Sequence, residues 1–247
     1  ETELPAGVRL ATAKRGGVTV TRVEITREGL ARPRGRYVTL EMPSVSVLDE
    51  RDTDVIETGA AELRALLPPE GPVLVLGIGN RRVTADALGP RTAQKILVTM
   101  GPQHTLPVQG IRPVAALAPG VSGDTGLTLR QLAAAMVDAV RPAALICVDS
   151  LCSAEAARLG RTIQFSDTGL HPADARHARH LDAAALGVPV IAAGIPTLMD
   201  ADEGADLVLT PRALDSVIAH GSALLAGILN RALQPRLSVA QLCWLTG

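Results

Sequence analysis

Residues 73–80 read Val-Leu-Val-Leu-Gly-Ile-Gly-Asn, a short apolar run that ends in two glycines and an asparagine. Three similar apolar runs follow at residues 114–117, 143–148 and 188–193, each flanked by glycine or proline. Runs of this length are typical of strands that are buried on both faces, as in a parallel sheet covered by helices. The four runs therefore predict the central strands of the fold.

Helix-like stretches lie between these runs, at residues 87–100 and 127–140, and a turn-rich segment covers residues 153–182. Strands and helices thus alternate along the chain. This order predicts an α/β fold with a doubly wound, mostly parallel sheet that is flanked by helices.

Different patterns mark the two ends of the chain. Residues 18–25 and 36–42 alternate apolar and polar side chains, which predicts an N-terminal antiparallel strand pair. Helices are predicted over residues 51–67 and 211–233, the second with Thr210 as its N-cap. We expect a single α/β domain over residues 1–247, made of an N-terminal strand segment (1–45), a candidate catalytic core (72–200) and a C-terminal helix (208–234).

The composition limits the partners that the chain can have. With 24 basic and 25 acidic residues and 1% aromatic residues, we expect no direct binding of nucleic acid. Apolar runs fall short of the roughly 20 residues that span a bilayer, and the N-terminus lacks signal-peptide features, so we expect no membrane association. Three cysteines, two of them in or beside apolar runs, favour a reducing cytoplasm.

Two aspartates stand at the ends of predicted strands. Asp149 directly follows the run 143–148, and Asp86 follows the loop that contains Gly79 and Asn80. Catalytic groups of doubly wound sheets collect at the carboxyl ends of strands, where two carboxylates can share a proton and activate a water molecule. A single aspartate at such a place is also typical of a helix cap or a turn.

A second polar segment, residues 164–172, holds Asp167 and His171 beside glycine. Because it follows the Asp149 strand in the chain, we expect it to fold back over the same sheet edge and to support the aspartates. His171 is equally well explained as a loop histidine bonded to the backbone.

Other catalytic patterns are incomplete. Arg82 occupies the place of the third glycine in a dinucleotide fingerprint, and neither Ser122 nor Ser150 lies in a Gly-x-Ser-x-Gly elbow. Histidines 171, 177 and 180 lack ordered zinc-ligand spacing and alternate with arginines, so a solvated helix face explains them better. Cys147 is interpreted as a core residue. We expect no cofactor and no bound metal.

Taken in order, the loops resemble those of the germination protease family of endospore-forming bacteria. Two of the matching blocks are Val83-Thr-Ala-Asp-Ala-Leu-Gly-Pro90 and Val148-Asp-Ser150. The other matching blocks are residues 35–41, 75–80, 116–121, 163–172 and 187–197. Many separate blocks in the family's order are more specific than any single motif.

The resemblance implies an endopeptidase that degrades small acid-soluble, DNA-protecting spore proteins at germination, in the cytoplasm of the spore core. It implies aspartic-type chemistry by Asp86 and Asp149, and a fold like that of hydrogenase maturation endopeptidases. It also implies a homo-oligomeric zymogen that removes its own propeptide. An extended substrate would lie against loops that include Gly79, Gly120 and Thr197, and Asn80, Asp167 and His171 would support the site.

Two features depart from the family pattern. The connector between Asp200 and Val208 is short where longer members have an insertion, and the chain starts close to its first strand, with little room for a propeptide. Two alternative functions remain open on the residues alone. One is a metal-assisted maturation endopeptidase of the hydrogenase-processing type, and the other is a catalytically silent binding protein of the same fold.

Overall fold

A computed structural model describes residues 4–101, 109–171, 180–200 and 208–246. Nine strands in this part of the chain form one mixed sheet, in which eight of them follow the order β1-β2-β3-β7-β8-β6-β4-β5 and β9 pairs with β8. The strands are β1 (Val8–Arg15), β2 (Val18–Ile25), β3 (Gly35–Glu41), β4 (Val73–Gly77), β5 (Val114–Leu117), β6 (Ala144–Cys152), β7 (Thr162–Ser166), β8 (Val190–Asp200) and β9 (Val208–Leu209).

The four apolar runs form the parallel half of this sheet. β5, β4, β6 and β8 are parallel neighbours, with Val75 opposite both Ala116 and Ile146, and Cys147 opposite Ala192. All five residues of β4 are buried. The prediction of central parallel strands is therefore confirmed, because an unbroken apolar run suits a strand that is covered on both faces.

Strands β1, β2, β3 and β7 form the antiparallel half, and β7 joins it to β8. The predicted pairing of β2 with β3 is confirmed. Two of these strands were not predicted. β1 is exposed along most of its length, so it lacks an apolar alternation, and β7 lies within the segment 153–182 that was predicted to be turn-rich.

Helices cover both faces of the sheet. Those of the described residues are α1 (Thr53–Leu66), α2 (Leu88–Ala93), α3 (Ser122–Thr125), α4 (Leu129–Val140), α5 (Ala183–Leu186), α6 (Leu214–Leu233) and α7 (Val239–Thr246). Buried residues of α1 and α6 join one apolar cluster with β4 and β6, and those of α4 join a second cluster with the opposite faces of the same strands. The helices therefore flank the sheet as predicted.

Several helix boundaries differ from the predictions. α2 ends at Ala93 rather than near residue 100, and beyond its end Asn230 of α6 accepts the N–H of Leu97 and donates to the carbonyl of Lys95. α6 begins at Leu214, so Thr210 is not its N-cap. α7 was not predicted.

Helix α6 is long and apolar enough, by length and composition, to cross a membrane. However, 72% of its apolar window is buried inside the protein, where the helix packs against α1 and α2. This burial is typical of a core helix.

Candidate active site at the carboxyl ends of strands β4 and β6

Asp86 lies in a tight turn that follows β4. It closes the short 3₁₀ turn Thr84–Asp86, directly before α2. Its Oδ2 accepts the backbone N–H of Asn80 at 2.7 Å, and the side-chain Oδ1 of Asn80 accepts the N–H of Arg82 at 2.9 Å. Asn80 therefore shapes the loop and holds the Asp86 carboxylate through its backbone.

Gly79 permits the close approach of this loop to Asp86. Its φ of 121° belongs to a region that side chains disfavour. A Cβ placed on Gly79 would lie 2.0 Å from the carbonyl oxygen of Asp86 and 2.9 Å from its Oδ1. A glycine is therefore required if the Asp86 carboxylate is to keep its present position.

Asp149 lies within β6, where it stands opposite Gly194 of β8. Its Oδ1 accepts the backbone N–H of Ser150 at 2.8 Å. Burial, together with the charge of Asp149, raises the pKa of the Cys147 thiol. Cys147 is fully buried, which confirms the prediction that it is a core residue, and the raised pKa keeps it a neutral thiol.

The two aspartates lie at the same edge of the sheet, on adjacent elements. Gly77 of β4 stands opposite Val148 of β6, and the N–H of Ile78 donates to the carbonyl of Val148 at 2.8 Å. The turn that carries Asp86 contacts both β6 and β8. Two carboxylates at one sheet edge can act as a proton-sharing pair on a water molecule.

Gly89, which sequence reasoning missed, brings α2 against this edge. A Cβ on Gly89 would lie 2.2 Å from the carbonyl oxygen of Ile78 and 2.3 Å from that of Val148. The start of α2 therefore packs directly on the backbone that leads into the Asp86 turn and on the residue of β6 that precedes Asp149. The available signal was its position three residues after Asp86, at the start of a predicted helix.

The loop after β5 lies at the same edge and contains Gly120. This residue has a φ of 79°, and the short helix α3 follows it. Arg82 forms an exposed ion pair with Asp124 of α3, with 3.4 Å between Nη1 and Oδ1. The Gly120 loop and the Asp86 loop are thus joined along one side of the candidate site.

Thr197 differs from its predicted setting. Residues 194–197 belong to β8 rather than to a loop, and the side chain of Thr197 is fully buried. Its Oγ1 donates to the carbonyl of Ala85 at 2.9 Å. The correction arises because β8 extends to Asp200, so that Thr197 contacts the Asp86 turn instead of an exposed groove.

Asp167 lies away from the Asp149 edge. Gln164, Gly194 and Asp149 form one row across β7, β8 and β6. Because β7 is antiparallel to β8, the chain after Gln164 runs toward the N-terminal end of β8. Asp167 therefore lies about 10 Å along the strand direction from the row that contains Asp149. Both carboxylate oxygens of Asp167 bind Arg36, one through the backbone N–H and one through Nε, each at 2.7 Å.

His171 is bonded within its own loop. Its Nε2 lies 2.7 Å from the carbonyl oxygen of Thr168, and its ring packs edge-to-face on that of His180, with 5.0 Å between centroids. His177 lies outside the described residues. In the part of the chain that the structure describes, no group of three His, Cys, Asp or Glu side chains is arranged to hold a metal ion.

A sequence profile of the germination protease family matches residues 1–203 of the chain. The chain belongs to the germination protease family. The matched range contains strands β1 to β8, Asp86 and Asp149, whereas α6 and α7 follow it. As a member of this family the chain is a peptidase.

Individual family members align over most of the chain. The germination protease of Clostridium perfringens strain SM101 is 32% identical, and the alignment covers 89% of this chain and 86% of that protein. The germination protease of Caldanaerobacter subterraneus subsp. tengcongensis is 40% identical, with 81% and 65% covered. That of Bacillus velezensis is 38% identical, and the chain spans 58% of its length.

Among solved structures, the [NiFe] hydrogenase maturation protease HycI from Thermococcus kodakarensis is 18% identical in sequence. The match has a TM-score of 0.46 and covers 70% of this chain and 98% of that protein. A likeness of this degree carries no argument about function.

Proposed function

We propose that this family member is an aspartic-type endopeptidase that degrades small acid-soluble, DNA-protecting spore proteins during germination. The observation that carries the proposal is the position of Asp86 and Asp149 at one sheet edge, on adjacent elements. At Gly79 and Gly89 the backbones of these elements lie so close together that a Cβ would clash. Family membership supplies the class of substrate.

The two carboxylates have complementary tasks in this proposal. One is ionised and takes a proton from the attacking water as its oxygen bonds to the peptide carbonyl carbon. The other is protonated and gives its proton to the leaving amide nitrogen. The backbone N–H of Asn80 holds one oxygen of Asp86, and that of Ser150 holds one oxygen of Asp149, which fixes the carboxylates relative to the substrate.

An extended substrate segment would cross the carboxyl edge of the sheet beside the Gly120 loop. That loop contains the half-buried Gly120 at a positive φ, and backbone groups of such a turn are suited to hydrogen-bond a peptide main chain. We further propose, by family membership, that the enzyme is a homo-oligomer, is made as a zymogen and acts in the cytoplasm of the spore core.

The proposal is tested by the variants Asp86→Asn and Asp149→Asn, with a purified small acid-soluble spore protein as substrate. Asparagine keeps the size of the side chain but cannot exchange the proton, so each variant is expected to lose nearly all turnover. Asp138→Asn, which changes an exposed aspartate on α4, is the matched control and should cleave as fast as the unchanged protein.

Circular dichroism and thermal unfolding should be the same for all three variants. Cleavage by either Asp86→Asn or Asp149→Asn at the rate of the control would contradict the paired-aspartate mechanism. The metal-assisted and catalytically silent alternatives have no observation in their favour among the described residues.

A further inference from the structure

Strand β8 contains a β-bulge beside the candidate active site. Leu151 of β6 stands opposite Pro196, whereas the next residue, Cys152, stands opposite Leu198, so Thr197 is an extra residue without a partner in β6. Proline inside a sheet is confined to edges and bulges because it has no N–H for the ladder. A bulge re-aims the side chain that it carries, and such bulges often lie next to active sites.

The re-aimed side chain is that of Thr197. It is fully buried, and its hydroxyl donates to the carbonyl of Ala85, the residue before Asp86, across 112 positions of sequence. Without this hydroxyl the carbonyl of Ala85 would lose a partner in a partly buried place, which is unfavourable. The Thr197 hydroxyl therefore links the 3₁₀ turn Thr84–Asp86 to β8, which pairs with the strand that contains Asp149.

We infer that Thr197 is a positioning residue, which sets the Asp86 carboxylate relative to Asp149 through the bulge in β8. The inference rests on the proposed function, because it assigns Thr197 a part in that same reaction. Two of the contacts that hold the Asp86 turn come from outside it. Thr197 binds the carbonyl of Ala85, and Asn80 binds Oδ2 of Asp86.

The experiment compares Thr197→Val, which removes the hydroxyl at nearly constant volume, with Thr197→Ser, which keeps it. Displacement of a reacting group by about 1 Å is worth up to about a hundredfold in rate. Thr197→Val is therefore expected to lower kcat about tenfold to a hundredfold with KM nearly unchanged, whereas Thr197→Ser keeps most of the turnover.

Thr92→Val is the matched control for loss of a buried threonine hydroxyl. Thr92 is fully buried in α2, and its hydroxyl donates to the carbonyl of Leu88 at 2.8 Å, not to the Asp86 turn. It should leave kcat close to that of the unchanged protein. If Thr197→Val does not fold, the pair Thr197→Ser and Thr197→Ala makes the same comparison, since these two differ only in the hydroxyl.

Amide hydrogen exchange gives a second measurement that does not depend on activity. The N–H groups of Asn80 and Asp86 should exchange faster in Thr197→Val than in Thr92→Val, because they lie in the two turns that meet at the Asp86 carboxylate. Unchanged kcat and unchanged exchange at these amides would overturn the inference. Asp86→Asn measured in the same assay tests the proposed function separately, since retained turnover there defeats the mechanism whatever Thr197 does.

Discussion

The two halves of the sheet are held together by different kinds of contact. In the parallel half, Gly79, Gly89 and Gly194 each lie so near a backbone oxygen that a Cβ would approach it to between 2.0 and 2.3 Å. In the antiparallel half, ion pairs join the strands to their surroundings, with Arg22 of β2 bound to Glu62 of α1 and Arg36 of β3 bound to Asp167.

This difference separates the determinants of activity from those of stability. Contacts between backbone segments cannot relax by a side-chain rotation, so a change there moves the turn that carries Asp86 or the part of β6 that carries Asp149. A lost ion pair leaves the backbone path intact and lowers the free energy of unfolding. Substitutions in the parallel half should therefore act on turnover, and those in the antiparallel half on stability.

The sharpest test of this comparison replaces one glycine in each half by alanine. Gly79→Ala is expected to reduce turnover by about a hundredfold or more, because the new Cβ would displace Asp86. Gly17→Ala, in the turn between β1 and β2, also places alanine at a positive φ, here 74°, but no atom lies within 4 Å of its Cβ. It should cost about 1 kcal/mol of stability and leave turnover unchanged.

Steady-state kinetics and urea unfolding of the two variants are the measurements. Equal losses of turnover in both would show that strain at positive φ, rather than the approach to Asp86, controls activity. Full turnover by Gly79→Ala would contradict the claim that close backbone contacts in the parallel half control activity.

A second test removes one ion pair from each half. Glu62 has 7% of its side chain exposed, and Arg22 binds both of its oxygens. Arg22→Ala should lower the free energy of unfolding by about 3 kcal/mol, since it leaves a buried carboxylate without its cation. Arg82→Ala removes the pair with Asp124, whose side chains are 83% and 49% exposed, and should cost less than about 1 kcal/mol.

Chemical unfolding of both variants, at one pH and one salt concentration, checks these values. Turnover should be retained by Arg22→Ala at a temperature where it is folded. A smaller loss for Arg22→Ala than for Arg82→Ala would refute the assignment of stability to the antiparallel half.

The parts of the fold that sequence could predict are those encoded by neighbouring residues. The four apolar runs appear as β4, β5, β6 and β8 because strands covered on both faces need no alternation. Asp86 and Asp149 were predicted at one edge because parallel strands end on the same side of a sheet. An apolar run predicts the strand that it forms, and an aspartate shortly after such a run predicts a side chain at the end of that strand. Each prediction therefore depends only on neighbouring residues.

The remaining features depend on contacts between distant segments. The direction of β7 is set by its pairing with β3 and β8, and this direction places Asp167 away from Asp149. Likewise, the bulge that buries Thr197 arises from the register of β8 against β6. Pro196 is a local signal for a bulge, but it does not specify the register of β8 against β6.

A third test concerns His171, whose loop follows β7 at the junction of the two halves. His171→Ala should lower turnover by less than the roughly hundredfold minimum that is typical of a lost general acid or base, because its ring is bonded to the carbonyl of Thr168 in its own loop. The measurement is the turnover of His171→Ala, Asp86→Asn and Asp149→Asn on one substrate at several pH values. If His171→Ala is as inactive as Asp149→Asn, the paired-aspartate assignment is incomplete.

The smallest effect is expected from a chelator. Carboxylates can bind a divalent cation as well as share a proton, so treatment with EDTA distinguishes two uses of the same pair. The described residues hold no group of three metal-ligating side chains around Asp86 and Asp149, and structural or catalytic zinc sites use at least three protein ligands. Cleavage of a small acid-soluble spore protein should therefore proceed at the same rate before and after dialysis against EDTA. Loss of activity that one added divalent ion restores would replace proton sharing by metal-assisted hydrolysis, and the loops of the parallel half would then hold metal ligands rather than an acid and a base.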